Sequence, residues 1–326
     1  MDVEVGARGN AGARPVSRSR TGGPRADSGN PDLSIVIVTY NSRRHIGACL
    51  ESLGQALCRY RFEIVVVDNA SSDGTPDLVR SVSPDAVVVE TGANLGFARA
   101  NNRGIARTRG RHVLVLNPDT VADPGSLDHL VELLDTDESI GIVAPRLLNL
   151  DRSDQGTARS FPTPAAALLG RRSPLTRLWP GNPWSRRYLI GREQPDSGVF
   201  PVDWVSGACL MIRRELADRT GGFDEAFFMY WEDADWCRRV KDGGHQVVCE
   251  PRSKVLHDEG ARRSPRPHQV RAFHESAYRY YAKHHLTGLR RAFRPVVYGA
   301  LMARAGLVLA ASRARRARPS PIGREA

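Results

Sequence analysis

The chain lacks the patterns that mark several common protein classes. Its 326 residues hold only five cysteines, Cys49, Cys58, Cys209, Cys237 and Cys249, and no CxxC pair. An odd number without paired spacing argues against a disulfide framework and against structural zinc, and fits a reducing compartment. The thiols read as small buried hydrophobes. No GxGxxG follows the first apolar run, and GxxxxGK followed by Ser or Thr is absent. A dinucleotide oxidoreductase and a P-loop enzyme are therefore disfavoured. Residues 1–31 carry scattered arginine but no apolar core segment, so no secretory signal is read there. Their Gly, Ser, Pro and Arg content predicts a disordered leader. Acid is scarce at the other end. From Arg290 onward nine arginines meet one acid, Glu325, so +8 of the formal +11 sits in the tail.

The rest of the composition, 41% hydrophobic and 25% charged, is that of a soluble globular protein. A basic chain points to nucleic acid, anionic lipid or a phosphorylated substrate. Position helps to decide. The aromatics lie in the less basic middle and are not interleaved with the tail arginines, which counts against base stacking and nucleic acid. Residues 295–312 are mostly apolar, with one charge at Arg304. Their length just reaches that of a transmembrane span. A central Arg costs about 2.5–3.5 kcal/mol on insertion. Three readings stay open: an interfacial helix on anionic lipid, a helix packed on the domain, and a true span. The first fits the flanking arginines best. The expected organisation is a leader over 1–31, one domain over 32–286 with halves 32–146 and 147–286, and a basic amphipathic helical tail over 287–326.

The β-branched run 33–38 predicts a strand buried on both faces. A helix follows over about 43–57, then a strand over 63–67. The segment 68–75 is turn chemistry, with a helix to about 81. A strand over 86–90, a helix over about 96–109 and a strand over 112–116 complete an alternating series. Such alternation predicts an α/β fold with a mainly parallel sheet and helices on both faces. Ligands then bind outside the carboxyl ends of the strands, where Thr39, Asp68, Asn69 and Asp119 fall. Residues 147–202 are rich in proline, with Trp179 and Trp184, and read as a long functional loop. Beyond it, strands are expected over 204–212, 246–249 and 255–257. Helices are expected over 214–219, 232–241 and 268–285.

Several segments carry a resemblance. Ser34-Ile-Val-Ile-Val-Thr-Tyr-Asn41, Val67-Asp-Asn-Ala-Ser-Ser-Asp-Gly-Thr75, Asn94-Leu-Gly-Phe-Ala98 with Asn101 and Asn102, and Asn117-Pro-Asp119 resemble the nucleotide-sugar half of family 2 glycosyltransferases. Gly222-Phe-Asp-Glu225 and Phe228-Met-Tyr-Trp-Glu-Asp-Ala-Asp235 are similar to the acceptor half. The likeness covers about residues 33–260 and implies a GT-A fold, a Rossmann-like sheet. Within the family, Arg159-Ser-Phe-Pro-Thr-Pro164, Trp179-Pro-Gly-Asn-Pro-Trp184 and Val205-Ser-Gly-Ala-Cys-Leu210 resemble rhamnosyltransferases acting on polyprenyl-diphosphate-linked N-acetylglucosamine. Galactofuranosyl- and mannosyltransferases share most of that frame.

The resemblance implies an inverting transfer from a nucleotide-sugar donor to a polyprenyl-diphosphate-linked saccharide, at the inner face of the plasma membrane. It places Thr39, Tyr40, Asn41, Asp68, Asn94, Arg99, Asn102 and Asn117 around the donor, with Asp68 accepting from the base. Arg99 is read either toward the donor or toward solvent. Trp204, Gly207, Trp231 and Asp235 are placed around the acceptor. The leaving nucleoside diphosphate calls for Mg²⁺ or Mn²⁺ on hard oxygen ligands. The family's usual Asp-x-Asp is Asn117-Pro-Asp119 here, so Asp119 is the one carboxylate available, and His257 is expected to complete the metal shell. Inversion needs a carboxylate to take the acceptor proton. By the resemblance Asp233 is that base, with Glu232 in support. A hydrolase that uses Asp119 and Asp233 as acid and base is disfavoured by the strand-end acids.

Overall fold

A computed structural model of the protein describes residues 29–156, 158–161, 198–258 and 267–316. Most of the expected leader, the loop bearing Trp179 and Trp184, and the last tail arginines lie outside the described residues.

The first half alternates as expected: β1 (Leu33–Thr39), α1 (Ile46–Ala56), β2 (Phe62–Asp68), α2 (Thr75–Val82), β3 (Val87–Glu90), α3 (Phe97–Ile105) and β4 (His112–Leu116). The apolar runs of β1 and β4 divide by the two-residue strand period. Leu33, Ile35, Ile37, Leu114 and Leu116 join one core with α1 and α2, whereas Val36, Val113 and Val115 join another with α3. Burial on both faces is why these strands are continuously hydrophobic. On the α3 side the approach is close. A Cβ at Gly104 would lie 2.4 Å from a Val36 methyl, so only glycine lets the helix seat there.

Three elements that the sequence reading left unassigned follow: β5 (Thr120–Ala122), α4 (Ser126–Thr136) and β6 (Ile140–Leu148). Their signals are muted for physical reasons. α4 begins after Gly125 with no side-chain cap, because the capping position is a glycine. β6 contains Pro145, which normally argues against a strand; it sits at a register shift between Pro145 and Arg146. The chain continues through β7 (Phe200–Val202), β8 (Cys209–Arg213), α5 (Arg214–Thr220), α6 (Glu232–Asp242) and β9 (Gln246–His257). The two short strands expected over 246–257 are thus one strand of 12 residues. The strand expected over 204–212 begins only at Cys209, and residues 204–208 form a loop before it.

The sheet order is β3-β2-β1-β4-β8-β6-β9-β5, with β7 on β9. The parallel reading holds for β3-β2-β1-β4. The second half is mixed: β8 runs antiparallel to both β4 and β6, while β9 is parallel to β6. This reversal assembles the site. Leu116 pairs with Cys209, so the start of β8 meets the end of β4. Thr120 pairs with His257, so the end of β9 arrives there as well.

Two helices lie beyond the sheet. α7 (Pro267–His284) buries Tyr280 in the core shared with α3, α5 and α6. A 3-10 turn over Gly288–Phe293 leads to α8 (Arg294–Arg316). α8 rests on α7 through Leu301, near Ala277, Tyr281 and Leu286. Its Val296 and Leu307 are exposed, as are Leu289 and Phe293 before it. Residues Gly288–Ser312 form the one stretch among the described residues long and apolar enough to cross a membrane.

Candidate active site

Two carboxylate centres sit at this edge of the sheet. The first lies past β4. The Asn117 N–H bonds the Ala208 carbonyl at 2.9 Å, which fixes the turn. Asp119 Oδ1 lies 3.3 Å from His257 Nε2, and the Asn117 amide lies 3.4 Å from the same nitrogen. Gln155 orients the imidazole. Its Nε2 donates to the His257 carbonyl at 2.5 Å, which turns Oε1 toward His257 Nδ1 at 2.9 Å. Nδ1 then carries the proton, and the Nε2 lone pair faces Asp119. Asp119 Oδ1 is buried and has no hydrogen-bond partner. An imidazole lone pair and a carboxylate oxygen, both acceptors, face one space; this is a fit for a divalent cation. Among the described residues no group of three or more His, Cys, Asp or Glu is arranged to hold a metal. The protein therefore offers two such ligands, with Asn117 as a neutral third, and the donor's phosphates would supply the others.

The nucleotide side is built on strand ends. Thr39 and Asp68 are paired in register and both are buried. The Asp68 carboxylate accepts from the Thr39 hydroxyl at 2.8 Å, the Ser71 hydroxyl at 2.5 Å and the Ser71 N–H at 2.8 Å. Oδ2 takes only one of these and keeps capacity for a further donor. Asn41 and Ala70, just after the two strands, both have positive φ, at 52° and 65°. Such backbone strain gathers at functional loops. Asn41 Oδ1 accepts from Ser72 N–H at 2.9 Å, and Tyr40 is exposed. Asn94 accepts from Gly96 N–H at 3.0 Å and shapes the entry to α3. Two other expected donor contacts are committed elsewhere. Asn102 holds the Phe223 backbone from both sides, at 2.9 Å each, and Arg99 faces Glu225 at 3.6 Å. Both therefore tie α3 to the Gly222–Glu225 turn.

The second centre opens α6. Tyr230 and Trp231, immediately before it, have φ near 70°. This left-handed entry is costly for aromatic residues and is held from outside. The Phe228 carbonyl accepts from Phe97 N–H at 2.7 Å, and a Cβ at Gly96 would collide with that carbonyl. The Trp231 ring packs among Phe273, Tyr280 and Tyr281 of α7. Glu232 and Asp233 then enter the first turn side by side. Asp233 Oδ2 accepts from Gly207 N–H at 3.0 Å and Oδ1 from Ala234 N–H at 2.8 Å. Burial pushes the Asp233 carboxyl above its ordinary value, against the pull of those two N–H groups. Glu232 is pushed well above its own, by burial first and then by the charge of Asp233, and its Oε2 has no partner. A half-buried carboxylate with raised basicity at a helix start suits proton removal from an alcohol.

Asp235, expected at the acceptor, is instead a buried junction. It is fully buried and bonds His284 at 2.7 Å, Lys283 at 2.8 Å and Arg239 at 2.8 Å. Burial would raise its pKa, but His284, Arg239 and Lys283 together lower it to about 2. Held by His284 and Lys283 on one oxygen and Arg239 on the other, it locks α6 to α7. Sequence reasoning missed His284, Lys283 and Gln155, because nothing in their local spacing announces partners 49, 48 and 102 residues away. Trp204 is likewise mostly internal. Its ring N–H bonds the Ser160 carbonyl at 2.9 Å, and the Arg159 guanidinium stacks 4.8 Å from its centre.

Comparison with known proteins agrees with this architecture. The sequence model for Glycosyl transferase family 2 matches residues 34–221. An N-acetylglucosaminyl-diphospho-decaprenol L-rhamnosyltransferase of Mycobacterium tuberculosis is 34% identical over 293 residues, covering 86% of this chain and 94% of that protein. The solved structure of a mannosyltransferase from Pyrobaculum calidifontis in complex with GDP-Man and Mn²⁺ aligns with a TM-score of 0.55 at 20% identity, covering 90% of this chain and 77% of the other. GalNAc-T7 with UDP, GalNAc and Mn²⁺ aligns with the same score at 15% identity, over 78% of this chain and 48% of its own. These two likenesses establish the GT-A fold.

Proposed function

The chain belongs to glycosyl transferase family 2, and we propose that within it the protein moves L-rhamnose from dTDP-rhamnose, with inversion, to a hydroxyl of a polyprenyl-diphosphate-linked saccharide. The observation that carries the chemistry is Asp233, a carboxylate of raised basicity held by Gly207 N–H at 3.0 Å. The choice of donor and acceptor leans on the mycobacterial rhamnosyltransferase, which the chain matches over nearly its whole length.

Asp233 accepts the acceptor hydroxyl proton as that oxygen attacks the anomeric carbon, and the nucleoside diphosphate leaves from the opposite face. The Gly207 and Ala234 N–H groups hold the carboxylate in place. Asp68 takes a hydrogen bond from the base, and Thr39 and Asn41 line the same pocket. Asp119 and His257, with Asn117 beside them, would hold Mg²⁺ or Mn²⁺, which when bound neutralises charge on the departing diphosphate. The mostly exposed α8, with arginines on either side of its apolar stretch, would lie on an anionic membrane surface and bring the site to a lipid-borne acceptor.

The test is a panel of dTDP-rhamnose, UDP-galactofuranose and GDP-mannose with a polyprenyl-diphosphate-linked N-acetylglucosamine acceptor, read by mass spectrometry. A mass gain of one deoxyhexose only with dTDP-rhamnose is expected. A gain of one hexose from another donor would replace the sugar assignment while leaving the reaction class. No transfer from any donor would return the chain to a binding role.

A further inference from the structure

A groove of about 260 Å³ runs between the loop that leads into α6 and α7; its lining includes Phe228, Met229, Arg271, Glu275, Ser276 and Arg279. The α7 residues recur at helical spacing, so one face of the helix supplies that wall. Ser276 ties this wall to the loop by donating to the Met229 carbonyl at 2.8 Å. The other wall, Ala226, Phe228 and Met229, immediately precedes the strained pair Tyr230 and Trp231 that leads to Asp233. Phe228 is 46% exposed although its own carbonyl anchors α3, so its ring is held open to the groove by backbone contacts.

The charges are uneven. Arg271 is paired with Glu275 at 2.7 Å, and the two neighbouring acids are occupied: Asp224 by Lys283 at 2.6 Å and Glu225 by Arg99. Arg279 has no ion pair among the described residues. The groove thus combines an uncompensated guanidinium and His268 with an apolar floor of Phe228, Met229 and Ala272. A guanidinium binds phosphate oxygens through two parallel bonds, and the apolar floor suits a hydrocarbon that starts at the phosphate. The helix that forms one wall also carries α8, whose Val296 and Leu307 are exposed.

We propose that this groove binds the diphosphate and first isoprene unit of the lipid-linked acceptor, with Arg279 as the principal phosphate contact. The proposal rests on the acceptor class given above. It makes the segment from Ala226 to Trp231 the shared wall of the base and of the lipid diphosphate, so that seating the lipid presents the sugar hydroxyl to Asp233.

Binding is measured by calorimetry on the full chain, in EDTA and excess dTDP so that the donor site is closed to the probe. Farnesyl diphosphate is expected to bind at least tenfold more tightly than farnesol or inorganic pyrophosphate. Arg279→Ala should weaken it about tenfold, and Arg279→Lys should fall between, with circular dichroism unchanged because Arg279 is exposed. Equal affinity for the variants, or for dihexanoyl phosphatidylglycerol, would overturn the assignment; the latter would make the groove a general anionic-lipid surface. Kinetics separate this failure from that of the function itself. With transfer observed, Arg279→Ala should raise KM for the diphosphate-linked acceptor and leave KM for a diphosphate-free N-acetylglucosaminide unchanged. An equal rise for both acceptors would also overturn it.

Discussion

The first turn of α6 and the end of β4 carry the two carboxylates of the site, and they are built in opposite ways. At α6 the backbone is strained, the walls are aromatic and the Gly207 and Ala234 N–H groups hold Asp233 in place. At β4 the turn is relaxed and ordinary, yet Asp119 Oδ1 is left buried with nothing to bond. In the first centre both Asp233 oxygens are held by backbone N–H groups, and Glu232 Oε2 beside them is left without a partner. The second is complete only with a ligand and its charge. A reaction that must both activate an alcohol and release a diphosphate needs one of each.

The contrast is sharpest within α6 itself. Asp233 and Asp235 lie two residues apart, and their acidities move in opposite directions from the same starting value. Burial acts on both. Asp235 faces His284, Lys283 and Arg239, whereas Asp233 is met mainly by two N–H groups. One carboxylate is thereby structural and the other is kept basic.

Asp233→Asn gives the largest expected effect. Turnover should fall by about 10³-fold, within the usual range for losing a general base, while dTDP-rhamnose still binds by calorimetry. Undiminished turnover would remove Asp233 from the chemistry. The wild-type pH profile carries the same claim. As the proposed base Asp233 would work only when ionised, so kcat/KM should drop as pH falls through a value above the ordinary 3.8 of an aspartate. An acid limb at or below that value would contradict the burial argument.

At the other centre, Asp119→Asn and chelation with EDTA should each lower activity by about 10²-fold, the scale seen for disturbed metal sites. Added Mg²⁺ or Mn²⁺ should restore the chelated wild type and fail on the variant. Gln155→Leu should raise the Mg²⁺ or Mn²⁺ concentration needed for activity without touching the Asp233 limb, because it releases the His257 ring and carbonyl. If EDTA leaves activity intact, the open half of the comparison is wrong and Asp119 is a turn residue.

Asp235→Asn tests structure more than chemistry. Breaking a buried ionic junction costs about 3 kcal/mol, so melting should fall by several degrees. The sign with pH is fixed by a folded pKa of about 2 against 3.8 unfolded. Stability from Asp235 is present above the unfolded value and is lost as pH falls from there through about 2. The variant and the wild type should therefore converge in stability in strong acid.

The two centres also differ in how much of them a sequence reveals. The strand ends of the first half were legible, because a strand buried on both faces is a continuous apolar run and its end is abrupt. Thr39, Asp68, Asn117 and Asp119 fall at such ends. The opening of α6 was legible as two acids after an aromatic run. What joins these pieces was not. β6 is disguised by Pro145, and β8 reverses the sheet with five residues of no distinctive pattern. Asp235 looked like a third site acid because its partners come from α7, and helical spacing records nothing of a neighbour across 49 residues. Asn102 shows the same limit. It lies on the expected helix, but its amide is spent on Phe223.

Arg99 gives the smallest expected effect, and for that reason it discriminates. Its guanidinium is 57% exposed, and Glu225 opposite is 52% exposed. Exposed pairs contribute less than about 1 kcal/mol. If Arg99 only steadies the Gly222–Glu225 turn, Arg99→Ala should change melting and the donor KM by less than about twofold in the equilibrium, and raised salt should shrink even that. If instead Arg99 swings from Glu225 to a donor phosphate, the donor KM should rise about tenfold or more while melting stays put, since a charged hydrogen bond to phosphate is worth about 1.5–3 kcal/mol. The donor KM of this one variant therefore decides whether α3 belongs to the open, ligand-completed centre or only to the scaffold that joins it to Asp233.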